Sequence, residues 1–303
     1  MPRTIRVAHS PDSDDAFMFY ALAAGLIDTG ELVYEHELQD IETLNQRARR
    51  KELDISAVSI HAYAYIAHDY ALLSSGSSMG DGYGPRLVSK SPRPEQCEGP
   101  HGSVAGDGVP PFALAQGKRS ARDEARGKRI AIPGLLTTAY LALRLWQPEF
   151  EAVVLPFDAI EDAVHKGEVD LGLIIHEGQL TYADDGLHLW ADMGEWWLAE
   201  TGLPLPLGGN VVRRDLGAET IAQVSRDLKA SIEYSLAHRA DALAHASQYN
   251  RGIGAERTDE FVGMYVNQWT VDYGERGRAA VQLLLDRAAE AGIIPAKVQV
   301  EFV

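Results

Sequence analysis

Apolar and polar positions alternate in short runs along the first ninety residues, and between the runs the spacing lengthens to three or four. Thr4 to Ala8 alternates and predicts a strand. Phe17, Tyr20, Ala21 and Ala24 then share a helical face, and Gly25 is a plausible stop. Leu32 to Leu38 predicts a second strand, and Asp40 can cap a helix carrying Ile41, Leu44 and Ala48. Leu53 to Val58 predicts a third strand, and His61 to His68 has helical spacing. Strands alternating with helices in this way indicate an α/β fold, a parallel or mixed sheet with helices on both faces.

The order breaks at residues 91–128, where Pro92, Pro94, Pro100, Pro110 and Pro111 are interspersed with glycines. No apolar period survives there, and 91–127 reads as an insertion or mobile connection. Lys128 to Ile132 resumes as a strand, Pro133-Gly134 turns, and Thr137-Thr138 open a helix with Leu141, Leu145 and Trp146 on one side. A strand over Val153 to Pro156 and a helix over Ala159 to His165 follow. Leu171 to Ile175 is then a short apolar run, as a buried strand of a parallel sheet reads. Leu-Pro-Leu-Pro-Leu at 203–207 leads into Gly208-Gly209-Asn210-Val211-Val212, which suits a crossing between domains. Helical patterns fill 221–291. The expected organisation is a larger discontinuous lobe, 1–90 plus 209–303, and a smaller lobe with its return crossing, 128–208. The links are expected near Arg86–Lys90 and Gly208–Arg213.

Composition narrows the partners. The chain of 303 residues is 46% apolar and carries a formal charge of −16. Such a surface repels phosphate backbones, so nucleic acid and anionic membranes are poor partners. Cys97 is the only cysteine, which excludes an intrachain disulfide. The histidines form no zinc-type cluster, and no metal is expected. The N-terminus lacks the apolar core of a signal peptide, and no apolar run approaches the ~20 residues of a membrane span. A cytoplasmic protein, monomer or homodimer, is expected.

Candidate chemistry collects at strand ends, where open α/β sheets bind ligands. His176 follows the Leu171–Ile175 run. It is either a base titrating near neutral pH or a core histidine satisfied by a backbone carbonyl. Thr137 and Thr138 at a helix start offer an anion site suited to a carboxylate, or an ordinary cap. Ser10 ends the first strand, followed by Asp12, Asp14 and Asp15, which either face a cleft or complement a helix dipole. Ser59 either donates to a ligand or caps the next helix. Asn45 lies inside a helix, a poor place unless its amide has a partner. Of the adjacent Trp196 and Trp197, one is expected in the core and one at a cleft. Phosphate-loop, dinucleotide, nucleophile-elbow and zinc-protease motifs are absent.

Several segments together resemble a known family. They are Ile41-Glu42-Thr43-Leu44-Asn45, Val58-Ser59, Gly82-Tyr83-Gly84-Pro85, Ile132-Pro133-Gly134, Thr137-Thr138-Ala139-Tyr140, Gly172 to Glu177, and Thr201 to Gly208. In this order they resemble the 1,4-dihydroxy-6-naphthoate synthases of the futalosine route to menaquinone. The resemblance implies a two-lobed fold like the type II periplasmic binding proteins, with a cleft between the lobes. It implies a cofactor-free lyase acting on a small carboxylate, cyclic de-hypoxanthine futalosine. The family's catalytic histidine falls on His176. Its ligand-contacting segments fall on Ala57-Val58-Ser59 and Thr137-Thr138, and Asn45 matches a polar cleft position. Ser10, Asp14, Tyr83, Trp197 and Asn210 are further cleft candidates. The chain departs from the family after the first strand, where Ser-Pro-Cys-Pro-Asn-Asp is common and Ser10-Pro11-Asp12-Ser13-Asp14-Asp15 stands here. A small-molecule sensor on the same fold and the sister chorismate dehydratase are the alternatives. The His-Glu segment favours the naphthoate synthase over the dehydratase.

Overall fold

The computed structural model describes residues 2–93, 120–249 and 254–303. Eleven strands are found among them: β1 (Arg3–His9), β2 (Leu32–Leu38), β3 (Ile55–Ser59), β4 (Tyr70–Leu72), β5 (Ser78–Gly80), β6 (Arg86–Ser89), β7 (Arg129–Ile132), β8 (Glu151–Val154), β9 (Leu171–Ile174), β10 (His188–Asp192) and β11 (Leu205–Arg213). They form two sheets. The first has the order β2-β1-β3-β11-β4, with β5 also paired to β11, and the second runs β10-β6-β9-β7-β8. Both are mixed. β1 lies parallel to β2 and β3, whereas β11 is antiparallel to β3. In the second sheet β7 is parallel to β8 and β9, and β6 is antiparallel to β9 and β10.

The strands at the centre of each sheet are covered on both faces. β3 is buried along its whole length, as is β9. Val224, Leu228 and Ile232 of the helix Ala218–Ala237 pack with Ile5 and Val7 on one side of the first sheet. On its other side Leu284 and Leu285 of the helix Gly274–Glu290 join Leu72 and Val211. That core continues into Leu141 and Trp146 of the second lobe.

Sheet membership moves two expected boundaries. Arg86–Ser89 hydrogen-bonds on both edges within the second sheet, so it belongs to that lobe rather than linking the two. β11 lies entirely in the first sheet, paired from Gly208 to Val212 with β3. The chain passes between the sheets over 81–85 and again over 193–204, where the helix Met193–Thr201 stands. The physical reason is backbone satisfaction: buried apolar segments such as Leu87-Val88 need ladder partners on both sides.

Smaller differences have local causes. The stripe from Phe17 to Ala24 is two short helices, Ser13–Met18 and Tyr20–Ala23, separated at Phe19. Of the expected 61–68 helix only 61–63 is helical, within the short helix Ile60–Tyr63. Most of the expected insertion, 94–119, lies outside the described residues. Its last part contains the helical turn Ala121–Glu124, capped by the Ser120 side chain, and Ala125 behind it is fully buried. Among the described residues no helix is long and apolar enough to cross a membrane.

Candidate active site

Between the sheets lies an open pocket that takes in about 790 Å³, the solvent at its mouth included. Its floor is the first sheet. On the β3–β11 ladder Ala57 is opposite Asn210 and Ser59 is opposite Gly208. Opposed residues share a face, as do residues two apart on a strand, so these four look into the pocket together. Facing them from the second lobe are Thr137, Thr138 and Ala139, at the start of the helix Thr138–Trp146. Ser10, Asp12, Asp14 and Asp15 after β1 form one wall. Gln179, Phe261 and Tyr265 contribute to another.

Asn45 is fully buried and does not line the pocket. Its amide holds Ser59 instead: Oδ1 accepts from the Ser59 N–H at 2.9 Å, and Nδ2 donates to Ser59 Oγ at 3.1 Å. This explains an asparagine inside the helix Ile41–Arg49. Ser59 stands at the N-cap of the next helix but makes no side-chain cap bond. Its hydroxyl proton therefore remains for a group in the pocket.

Both threonine hydroxyls are committed. Thr137 Oγ1 caps its helix by accepting from the Tyr140 N–H at 3.2 Å and donates to the Gly134 carbonyl at 2.9 Å. Thr138 Oγ1 donates to the Leu207 carbonyl at 2.5 Å and accepts from the His61 N–H at 3.2 Å, so it stitches the lobes together. The N–H groups of Thr138 and Ala139 donate to no protein acceptor among the described residues. They, rather than the hydroxyls, are the groups on this side left free to meet an acceptor. Glu42 adds a second stitch, its Oε2 accepting from the Leu136 N–H at 3.1 Å. Across the pocket, Tyr265 O–H donates to Gln179 Oε1 at 2.8 Å and Ser13 Oγ donates to Glu177 Oε1 at 3.2 Å.

The acidic wall is strongly perturbed. Asp15 Oδ2 accepts from the Ser10 N–H at 2.7 Å, and Ser10 Oγ donates to Asp12 Oδ2 at 2.5 Å. Burial, reinforced by the neighbouring carboxylates Asp15, Asp12 and Glu177, holds the Asp14 carboxyl well above the usual range. Burial also pushes Asp15 up to about 7, against the pull of the Ser10 amide.

His176 is buried just past the end of β9. Gly178 N–H donates to its Nδ1 at 3.0 Å, and its Nε2 lies 3.2 Å from the Phe157 carbonyl. A neutral ring protonated on Nε2 satisfies both partners, which assigns the tautomer. The ring does not line the pocket, although Ile175 and Gln179 do. Two further candidates are placed outside it. Trp197 is a fully buried core residue whose Nε1–H donates to the Pro204 carbonyl at 3.1 Å, and Trp196 is only half-buried, away from the pocket. Tyr83 donates to the Met264 carbonyl and packs edge-on against Tyr265 with ring centres 5.8 Å apart. It supports a lining residue without being one.

A family model described as menaquinone biosynthesis matches residues 5–290. A 1,4-dihydroxy-6-naphthoate synthase of Streptomyces coelicolor is 36% identical, over 97% of this chain and 95% of that protein. One of Thermus thermophilus is 35% identical, over 95% of each. The chain belongs to the menaquinone biosynthesis family. A crystal structure of an Archaeoglobus fulgidus protein, 43% identical, superposes with a TM-score of 0.84 over 96% of this chain and 98% of that one. An alkanesulfonate-binding protein of Xanthomonas axonopodis, 14% identical, superposes with a TM-score of 0.67 over 99% and 96% of the two chains. This member of the menaquinone biosynthesis family thus has the two-lobed fold of periplasmic binding proteins, as the sequence resemblance implied.

Sequence reasoning missed Gln179, Phe261, Tyr265, Ser78 and Gly208 in this family member's pocket. A lone polar residue on a helix carries no signal. Gly208-Gly209 inside a strand did carry one, because strand glycine marks a bend or a close approach.

Proposed function

We propose that the chain converts cyclic de-hypoxanthine futalosine to 1,4-dihydroxy-6-naphthoate and dihydroxyacetone, as a cofactor-free carbon–carbon lyase. The observation that carries this reading is the full-length similarity to two proteins named for that product. The pocket chemistry fits it. The Thr138 and Ala139 amides, at the positive end of a helix, suit the carboxylate, and Ser59 offers one more donor. The cleavage divides one molecule into two with no net oxidation, so protons are all that must move. A base takes one from carbon beside a carbonyl, and an acid returns one to the departing fragment.

We assign the base to His176, following the family resemblance. In the tautomer with the proton on Nε2 the free lone pair is on Nδ1, so this role requires the ring to give up its Gly178 partner when substrate binds. A second reading makes Asp14 the proton carrier. It is favoured by Asp14 lining the pocket and by a carboxyl that retains its proton far above the usual range.

The test is the appearance of dihydroxynaphthoate when purified protein meets the cyclic futalosine derivative. General-base catalysis is typically worth about 10²–10⁴-fold. His176→Asn should lower turnover by that order with little change in affinity. If His176→Asn keeps full turnover and Asp14→Asn loses it, the role passes to Asp14. Absence of product from the unmodified protein would leave a binding protein.

A further inference from the structure

One atom of the pocket floor is not absorbed by carboxylate binding or by proton transfer. Asn210 is 1% exposed and lines the pocket. Its Nδ2 donates to the Gly76 carbonyl at 2.9 Å, whereas its Oδ1 is buried and has no protein donor. The orientation of this amide is fixed. The Gly76 carbonyl can only accept, so a flipped amide would set oxygen against oxygen. Gly76 itself is part of the arrangement: it takes φ +82°, and a Cβ there would stand 2.4 Å from Asn210 Nδ2. The fold uses a left-handed glycine to turn this amide with its oxygen away from Gly76.

The buried acceptor complements the donors around it. Ser59 O–H and the Thr138 and Ala139 amides can only be satisfied by acceptor atoms on a ligand. Asn210 Oδ1 can only be satisfied by a donor. On the β3–β11 ladder Asn210 is diagonal to Ser59, with Gly208 leaving the floor between them bare. Diagonal neighbours lie roughly 7–8 Å apart, about the span of a small ring. An unsatisfied buried acceptor favours ligands that bring the missing donor and penalises those that do not.

We propose that Asn210 Oδ1, held by Gly76, is a hydroxyl-binding subsite that accepts from a ligand hydroxyl while the ligand's carboxylate lies at the start of the helix Thr138–Trp146. The ligand class is a hydroxylated carboxylate, which deepens the lyase reading and rests on its carboxylate placement. Asn210 is a specificity residue here, with no part in moving protons.

Two probes separate this from the lyase reading: 3-(1,2-dihydroxyethyl)benzoate and 3-ethylbenzoate, which differ only in the hydroxyls. Calorimetric titration of the full chain should show the dihydroxy compound binding about fivefold to tenfold more tightly, the worth of one hydrogen bond made to an otherwise unpaired acceptor. Asn210→Leu, near in volume, should erase that preference and leave the ethyl compound's affinity within about twofold. Equal affinities of the two probes for the unmodified protein would overturn the subsite, whether or not the variant folds. So would an undiminished preference in Asn210→Leu. Turnover of the cyclic futalosine derivative is measured on the same preparation. A hydroxyl preference without turnover sinks the lyase reading and keeps the subsite, and turnover without the preference does the reverse.

Discussion

Asn45 and Ser59 are joined by both ends of one amide: the oxygen takes the Ser59 main-chain proton and the nitrogen gives a proton to its hydroxyl oxygen. A serine hydroxyl held this way has one acceptor site engaged and its own proton free to point into the pocket. The arrangement assigns different jobs to the two residues, and substitutions should separate them.

Ser59→Ala removes the donor but leaves its backbone N–H bonded to Asn45. Substrate affinity should fall about tenfold, within the range for a hydrogen bond to a charged group, and stability by about 1 kcal/mol, because the buried Asn45 Nδ2 loses an acceptor. Asn45→Ala also strands the buried Ser59 N–H, so it should lower stability by about 1–3 kcal/mol on top of the same affinity loss. Steady-state kinetics and urea unfolding on the two single variants and the double variant check this. In the double variant the affinity losses should not add, because both act through one hydroxyl.

Thr138→Val tests which part of the helix start meets the ligand. Its hydroxyl bridges Leu207 and His61 across the lobes, while Thr138 and Ala139 line the pocket and their amides donate to no acceptor among the described residues. The substitution should lower stability by about 1–3 kcal/mol through the stranded buried groups. Affinity should fall less than in Ser59→Ala. A loss of affinity larger than that of Ser59→Ala, at unchanged stability, would return the hydroxyl to ligand binding.

How much of this was legible in the chain depends on whether the cause was local. Asp40 as a cap, the strand Leu32–Leu38 and the helix opened by Thr137-Thr138 follow from neighbouring residues, and the structure has them. The fold class followed from alternation and from the family resemblance. The short strands β4, β5 and β10 were invisible, because they form only where β11 or β6 runs beside them. The same limit governs the site. Ser59, Asn210 and the threonines line the pocket, but whether Asn45 touches a ligand or a serine depends on a residue fourteen positions away. For His176 both readings suited a strand end, and the carbonyl of Phe157 that now faces Nε2 lies in a different segment.

The acidic wall makes stability depend on pH in an unusual direction. The folded chain keeps a proton on Asp15 up to about 7, whereas the unfolded chain releases it near the ordinary 3.8. Stability from this group is therefore lost as pH rises from about 4 to about 7. His9 and His36 act oppositely. Burial lowers them to about 3 and about 4, so stability is lost as pH falls below 6.5. In wild type the two trends offset between pH 4 and 6.5. Asp15→Asn should raise Tm at pH 8, with the gain shrinking toward zero by pH 4 and a steeper acid decline between. A gain of equal size at both ends would show that Asp15 does not titrate in this window.

The paired glycines of β11 offer a way to alter the pocket without altering the fold. At Gly209 an added Cβ would stand 2.3 Å from the Tyr273 hydroxyl oxygen, deep in the core. Gly209→Ala must displace that ring and should lower stability by about 1–3 kcal/mol, as overpacking does. At Gly208 the same atom would meet only the Val58 carbonyl at 3.5 Å and Ser78 Cβ at 3.9 Å, ordinary contacts, and the backbone there is not left-handed. Alanine should be accepted, since strands gain from losing glycine's conformational freedom. Yet Gly208 is opposite Ser59 on the pocket face, so the new methyl group would occupy the floor between Ser59 and Asn210. Gly208→Ala should therefore melt at or above the wild-type temperature while substrate affinity falls at least tenfold. Thermal unfolding and substrate titration of the two variants separate the cases. A Gly208→Ala protein that keeps wild-type affinity would mean the ligand does not lie along this part of β11.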